Sequence, residues 1–307
     1  MNFKELAKKQ QAKKVVSGHR ACSGCGFPQI VNAVLASTDD PVVVGCATGC
    51  LEVTSTIYPF TSWNVPFVHN AFENAAATIS GVETAYRALK KQGKIKKEIK
   101  FVAFGGDGGT SDIGLQSLSG ALERGHKFVY VQYSNEAYMN TGVQRSSATP
   151  YGASTTTTPA GKLHLGKEQF RKDITKIVIA HNIPYVAQAS VGNLMDLTMK
   201  AEKAFKANGP AFLNVLQPCT LGWRYPPEQT IKIGKLAVDC KFWPLYEVEN
   251  GVYKLNYKPS NPIPVVDYLK TQGRFKHLFT PANKWILDKI QKNVDEEWDK
   301  LLKLCGE

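Results

Sequence analysis

The chain has 307 residues, 43% of them apolar, and a formal net charge of +12 from 38 Lys and Arg against 26 Asp and Glu. That length buries a large core and suits one big domain with extensions better than two equal ones. No run approaches about eighteen uninterrupted apolar residues, and the opening MNFKELAKKQQAKKVV holds no apolar stretch of signal-peptide length. Neither a membrane span nor a secretory leader is expected, and the protein reads as cytoplasmic.

In chain order, Lys8, Lys9, Lys13 and Lys14 form a first basic cluster, and Lys90, Lys91, Lys94, Lys96, Lys97 and Lys100 a second. Neither carries interleaved aromatic residues or a binding motif, so no nucleic-acid partner is expected. A solvated face, or attraction to acidic partners such as other subunits or an electron carrier, fits better. Pro41-Val42-Val43-Val44-Gly45 reads as a short strand. Ala75, Ile79, Val82, Tyr86 and Leu89 fall at helical spacing, and Asn70 with Glu73 forms a capping box that could start that helix. Residues 99–104 are a strand; Ile113, Leu118, Ala121 and Leu122 mark a helix ended by Gly125; residues 128–133 are another strand.

A long polar stretch then runs from Asn135 to about Gly166, and loops of that length in compact domains are usually functional or disordered. A helix around 167–181, a strand near 184–189, a helix at 193–207 and a strand at 211–217 complete the series. The alternation predicts an α/β fold, a mostly parallel sheet with helices on both faces. The proline-bearing tail lacks the pattern and is expected to form an arm on another subunit, with a final helix at 282–304. The predicted division is 1–225 for the sheet domain and 226–307 for this C-terminal extension.

Phe104-Gly105-Gly106-Asp107-Gly108-Gly109 ends a strand and precedes a helix. Glycines there let backbone N–H groups approach a phosphate, and the following helix terminus favours negative charge. Asp107 adds a hard oxygen ligand for a divalent cation that would neutralise a diphosphate. Asn135 follows twenty-eight residues later, after one helix and one strand. In a right-handed βαβ unit both residues emerge at the carboxyl ends of parallel strands and could share one Mg²⁺. A Gly-Asp-Gly triplet alone is compatible with a plain tight turn; the matched asparagine makes the pair resemble the thiamine-diphosphate motif. That resemblance implies Mg²⁺ ligands at Asp107, the Asn135 side chain and the backbone carbonyl of Ala137, with Gly106, Gly108 and Gly109 at the diphosphate.

Seven cysteines without a secretory signal argue against a disulfide framework. Cys22-Ser23-Gly24-Cys25 puts two thiolates within reach of one metal centre, and Cys50 and Cys219 each follow a strand. Four thiolates suit a [4Fe–4S] cluster or a structural Zn²⁺, and spacing leaves both open. Cys46 rivals Cys50 or is a buried apolar residue, while Cys240 and Cys305 lack partners at useful spacing.

GHRACSGCG (18–26), GCLE (49–52), FENAAATISG (72–81), GGDGGTSDIGLQSLSGALERGH (105–126), NEAYMNTGVQRSSATPYGASTTTTPAGK (135–162) and PCTLGW (218–223) together resemble the β subunit of pyruvate:ferredoxin oxidoreductase and its relatives acting on other 2-oxoacids. The resemblance covers residues 17–225. It implies a thiamine-diphosphate-binding fold and a [4Fe–4S] cluster, rather than zinc, on Cys22, Cys25, Cys50 and Cys219. It further implies Asn140 facing the substrate, and Thr48, Gly49 and Thr110 lining the cofactor pocket. The implied reaction is reversible oxidative decarboxylation of a 2-oxoacid, pyruvate by the look of the long loop, with coenzyme A taking the acyl group and ferredoxin the electrons. Oxalate, a branched 2-oxoacid or an aryl glyoxylate remain alternatives, as does a non-oxidative thiamine enzyme half with structural zinc. Alpha, gamma and delta type subunits are the implied partners. The carboxylate that activates the aminopyrimidine ring belongs to one of these in the family. The local candidates read otherwise, Glu73 as a helix cap and Glu52 as a surface or inter-subunit contact. Phe27 and Pro28 stand where longer relatives carry a glutamate.

Overall fold

The computed structural model describes residues 4, 5, 7, 8, 13–161 and 163–307. Lys9 of the first basic cluster and Lys162 at the end of the long loop lie outside them. The elements in chain order are α1 (Phe27–Leu35), β1 (Val42–Ala47), α2 (Cys50–Ser55), β2 (Phe67–Asn70), α3 (Ala75–Lys91), β3 (Lys100–Gly106), a π-helical turn (Gly108–Asp112) and α4 (Leu115–Glu123). There follow β4 (Val129–Ser134), α5 (Ile174–Ile179), β5 (Tyr185–Ser190), α6 (Leu194–Lys206), β6 (Ala211–Leu216), α7 (Thr220–Trp223) and α8 (Thr230–Asp239). β7 (Tyr246–Glu249), β8 (Val252–Leu255), α9 (Val265–Leu269) and α10 (Lys284–Cys305) end the chain.

One eight-stranded sheet runs in the order β2-β1-β3-β4-β6-β5-β7-β8. The first six strands are parallel, and β7 and β8 add antiparallel to the β5 edge. Residues alternate between faces with the period of two that a strand imposes. On β3, Val102 and Phe104 join α1 and α6 in one core, while Phe101 and Ala103 join α3, α4 and α5 in the other. Helices thus cover both faces, as the alternating pattern predicts. Cys46 is fully buried in the first core, the apolar role open to it from sequence.

The tail departs from expectation. Tyr246–Glu249 and Val252–Leu255 form a hairpin on the chain's own sheet. Its turn is Asn250-Gly251 at φ 50° and 82°, the left-handed pair that a two-residue hairpin turn needs and that Asn-Gly supplies at low cost. Trp223, Ile233, Phe242, Tyr268, Phe275 and Ile290 build a third core between the tail and the sheet edge. These apolar residues of the tail are therefore buried within this chain. The helix expected over 167–181 is confined to Ile174–Ile179. Its upstream part is drawn out because Lys167 is buried, its Nζ donating to the carbonyls of Ser147 at 2.9 Å and Thr149 at 2.5 Å. Asp173 then caps the short helix, accepting from the Lys176 N–H. The expected capping box at α3 does not form: Asn74 is the N-cap, Asn70 donates its amide to the Val68 carbonyl, and Glu73 is exposed. Among the described residues no helix is long and apolar enough to cross a membrane.

Candidate functional site

After β1 the chain turns outward to β2, then crosses back to β3, so the loops leaving β1 and β3 diverge and open a crevice at the carboxyl ends of the strands. This is where open parallel sheets place ligands. The crevice is lined by Thr48, Gly49 and Cys50 after β1, Gly106 to Gly109 after β3, and Asn135, Ala137 and Asn140 after β4. Phe72, Tyr138 and Met139, not singled out from sequence, complete the wall.

Asp107 is buried at its base. One end of the Asn135 side-chain amide lies 2.9 Å from Asp107 Oδ1 and 2.8 Å from the Ala137 carbonyl oxygen. With the amide nitrogen there, it donates to both; with the oxygen there, three oxygens converge, the arrangement a hard divalent cation requires. The residues therefore fit Mg²⁺. Burial pushes the Asp107 carboxyl up to about 7, against the lowering effect of hydrogen bonds from the Ser146 hydroxyl and the Asn135 N–H. A bound cation would restore the charged form.

The glycines next to Asp107 fit a close-approach role. A Cβ on Gly108 would stand 2.1 Å from the Tyr138 ring, and one on Gly109 would stand 2.9 Å from the Phe72 carbonyl. The π-helical turn that begins there starts at the crevice wall, and the first N–H groups of a helical turn have no partner within it, which suits a diphosphate. Thr110 sits elsewhere: its side chain is buried below the turn, donating to the Gly106 carbonyl at 2.7 Å and contacting Tyr130 Oη at 3.1 Å. It braces the turn without lining the crevice. Thr48 Oγ1 contacts His69 Nε2 at 2.7 Å and donates to the Asn70 carbonyl at 3.0 Å. Asn140 is exposed at the mouth.

Cys50 lines this crevice, and Cys22, Cys25 and Cys219 lie within electrostatic range of it. Burial pushes the Cys25 and Cys50 thiols up to about 12 and raises Cys219; each of the three is raised further by charge on others of the group. Donors point at the sulfurs: Gln217 Nε2 to Cys25 at 3.3 Å and the Gly222 N–H to Cys219 at 3.3 Å. Cys22 is exposed. Among the described residues no three His, Cys, Asp or Glu side chains are packed closely enough to hold one metal ion. Gly24 lets the Cys22–Cys25 loop form: it has φ +71°, and a Cβ there would stand 2.2 Å from the Pro227 carbonyl oxygen. Cys240 and Cys305 stay apart, Cys240 in the third core.

Residues of α7 and of the tail beyond it lock both halves of the site. Thr230 Oγ1 donates to the Gly24 carbonyl at 2.5 Å, and Trp223 Nε1 donates to the Asn135 carbonyl at 2.8 Å. Arg274 lies 3.8 Å over the Trp223 ring and donates to Glu136 Oε2 at 2.5 Å. Trp223 belonged to a recognisable motif; nothing local in the sequence marks Arg274, whose partner is 138 residues away. Glu52 differs from its expected surface role. It is buried, accepting from Thr56 Oγ1 at 2.7 Å with His69 Nε2 at 3.6 Å, and it lines a separate hollow with Trp63 and His69. Phe27 begins α1 as a core residue.

Residues 43–215 match the family described as thiamine pyrophosphate enzyme, C-terminal TPP binding domain, so fold and site define a thiamine-dependent enzyme. The chain is 54% identical to pyruvate synthase subunit PorB of Thermotoga maritima, over 99% of this chain and 96% of that one. It is 46% identical to ketoisovalerate oxidoreductase subunit VorB of Pyrococcus abyssi, over 94% and 92%. Its fold resembles that of a solved chain of 2-oxoglutarate:ferredoxin oxidoreductase from Magnetococcus marinus, with TM-score 0.57, 22% identity, and coverage of 68% of this chain and 67% of that chain. The chain belongs to the 2-oxoacid:ferredoxin oxidoreductase family, in the branch of the pyruvate synthase subunit PorB.

Proposed function

We propose that this chain is the β subunit that carries thiamine diphosphate, Mg²⁺ and a [4Fe–4S] cluster in a complex oxidising a 2-oxoacid, pyruvate foremost, to acyl-CoA and CO₂, reversibly, with ferredoxin as electron acceptor. The observation that carries this reading is Cys50, which lines the crevice with Asp107 and also belongs to the four-thiol group. When bound, thiamine diphosphate supplies the electron sink for loss of CO₂, and an adjacent iron–sulfur cluster supplies a one-electron acceptor.

The chain's own residues have separable tasks. Asp107, Asn135 and the Ala137 carbonyl hold Mg²⁺; Gly106, Gly108 and Gly109 bring backbone N–H groups to the diphosphate; Thr48 and Gly49 form the facing wall. Asn140 meets the substrate at the mouth. Cys22, Cys25, Cys50 and Cys219 hold the cluster, and the N–H donors aimed at Cys25 and Cys219 favour the thiolate form. Four thiols are the number a [4Fe–4S] cluster needs, and the family resemblance favours the cluster over zinc. The exposed edge at Cys22 gives electrons a short way out, and the +12 charge attracts an acidic carrier. The carboxylate that activates the aminopyrimidine comes from a partner subunit, since Glu52 is turned toward Thr56 and His69. Partners of alpha, gamma and delta type complete the enzyme.

The ketoisovalerate relative keeps branched 2-oxoacids as the second reading of the substrate. The test is anaerobic purification of the assembled complex, followed by 2-oxoacid- and CoA-dependent reduction of ferredoxin or a viologen dye. Reduction with pyruvate supports the proposal in full, and reduction only with another 2-oxoacid moves the substrate. No reduction by an intact, cluster-loaded complex with any 2-oxoacid overturns it in favour of a non-oxidative enzyme.

A further inference from the structure

The long polar loop after β4 is pinned at its base by main-chain pairing. The Gly152 N–H donates to the Lys167 carbonyl at 2.7 Å, and the Lys167 N–H donates to the Ala153 carbonyl at 3.0 Å. Gly166 permits this approach, with φ +88° and a Cβ position that would stand 2.5 Å from the Gly152 carbonyl oxygen. Lys167 is thereby carried into the interior, where its ammonium donates to the carbonyls of Ser147 and Thr149. A buried charge set on neutral acceptors is costly, and its use lies in what those acceptors hold.

Both carbonyls belong to one tight turn, Ser146-Ser147-Ala148-Thr149. The Thr149 N–H donates to the Ser146 carbonyl at 3.2 Å, and the Ser146 N–H donates to Thr149 Oγ1 at 3.0 Å. The two hydroxyls of the turn then reach both segments of the proposed cation site. Thr149 Oγ1 donates at 2.6 Å to the carbonyl of Glu136, the residue between Asn135 and Ala137. Ser146 Oγ donates to Asp107 Oδ2. Asp107, Ser146, Thr149 and Lys167 are all buried.

The two oxygens of Asp107 are therefore not equivalent. Oδ1 faces the Asn135 side-chain amide at 2.9 Å and the Asn135 N–H at 3.3 Å, the side on which three oxygens can converge. Oδ2 is engaged by the Ser146 hydroxyl. The carboxylate is left with one oxygen to offer a cation. Mg²⁺ is small and octahedral, and it is served by single carboxylate oxygens together with phosphate and water. Ca²⁺ takes more oxygens at longer distances and often grips a carboxylate through both.

We propose that Ser146, held in place by Lys167 through the turn, makes the thiamine crevice prefer Mg²⁺ to Ca²⁺ by keeping Asp107 a one-oxygen ligand. Ser146 acts through Asp107 and Lys167 acts through the turn, so both are positioning residues. The inference rests on the proposed Mg²⁺ and thiamine diphosphate site. Hydrogen bonds from an outer shell orient ligating carboxylates in the same manner in metal sites generally.

The test uses the assembled complex, stripped of thiamine diphosphate and divalent cations. Thiamine diphosphate retained per chain is measured against Mg²⁺ and, separately, Ca²⁺ concentration. Cation preference is the ratio of the two half-saturating concentrations, which a general loosening of the crevice leaves unmoved. Ser146→Ala should shift that ratio toward Ca²⁺ by at least about tenfold, whereas Ser146→Thr, which keeps the hydroxyl, should hold the wild-type preference. Lys167→Met should shift it in the same direction by a smaller factor, and if one of the two variants fails to fold the other decides. Mg²⁺-dependent retention in the wild type with an unchanged ratio in the folded variants would overturn this inference and leave the thiamine site standing. Wild-type retention that needs no divalent cation, or that neither cation restores, would overturn both.

Discussion

Glu136 stands between Asn135 and Ala137, yet its carboxylate points away from both and into the protein. It is fully buried, holds φ at 64° and takes its charge partner from Arg274. A non-glycine residue in the left-handed region is strained, and such strain persists only where the surroundings over-determine it. Arg274 supplies that constraint twice, through Glu136 and through the Trp223 ring that holds the Asn135 carbonyl. Removing one partner of a buried pair costs about 3–5 kcal/mol, and loss of an outer-shell support typically weakens metal binding ~10–100-fold. Arg274→Met should therefore weaken Mg²⁺-dependent thiamine diphosphate retention by that order in a binding titration, with Arg274→Lys recovering part of it. Unchanged retention in Arg274→Met would leave the pair a purely structural one. Gly24 gives a complementary prediction on the other half of the site. Gly24→Ala adds a Cβ 2.2 Å from the Pro227 carbonyl at φ +71°. It should lower iron content while thiamine diphosphate binding persists.

The elements show what one sequence makes legible and what it hides. Strands β1, β3, β4 and β6 and helices α3, α4, α6 and α10 follow from apolar periodicity, because each buries its own regular face. The crevice follows as well, since Asp107 and Asn135 sit at the ends of neighbouring strands. The Tyr246–Leu255 hairpin was legible too, in Asn250-Gly251 between two short alternating runs, but prolines around it suggest an arm. Burial of Lys167 was not legible, because its acceptors are loop carbonyls eighteen and twenty residues back in the chain. Nor was Arg274, whose role exists only once the tail folds over α7. The tail's attachment is testable through α10. Ile290 is 3% exposed in the third core, and Ile290→Ala should cost about 2–5 kcal/mol. A thermal melt of the complex should fall by several degrees; an unchanged melt would mean that α10 contributes little to holding the tail.

Across the whole molecule, the Asp107 crevice lies at the sheet's switch point and Cys50 lines it while sensing the charge of the other three thiols; the proposed function assigns cation and diphosphate to the crevice and the cluster to the thiols. The two halves use different donors, oxygens in one and sulfurs in the other, so they can be emptied independently. The most direct test is to measure iron, zinc and thiamine diphosphate per chain, with the anaerobic absorbance near 400 nm, in the purified complex and in its Asp107→Ala and Cys219→Ser variants. The account predicts iron and absorbance retained but thiamine diphosphate lost in Asp107→Ala, and absorbance bleached or degraded in Cys219→Ser. Zinc in place of iron in the wild type, or full thiamine diphosphate retention in Asp107→Ala, would contradict it.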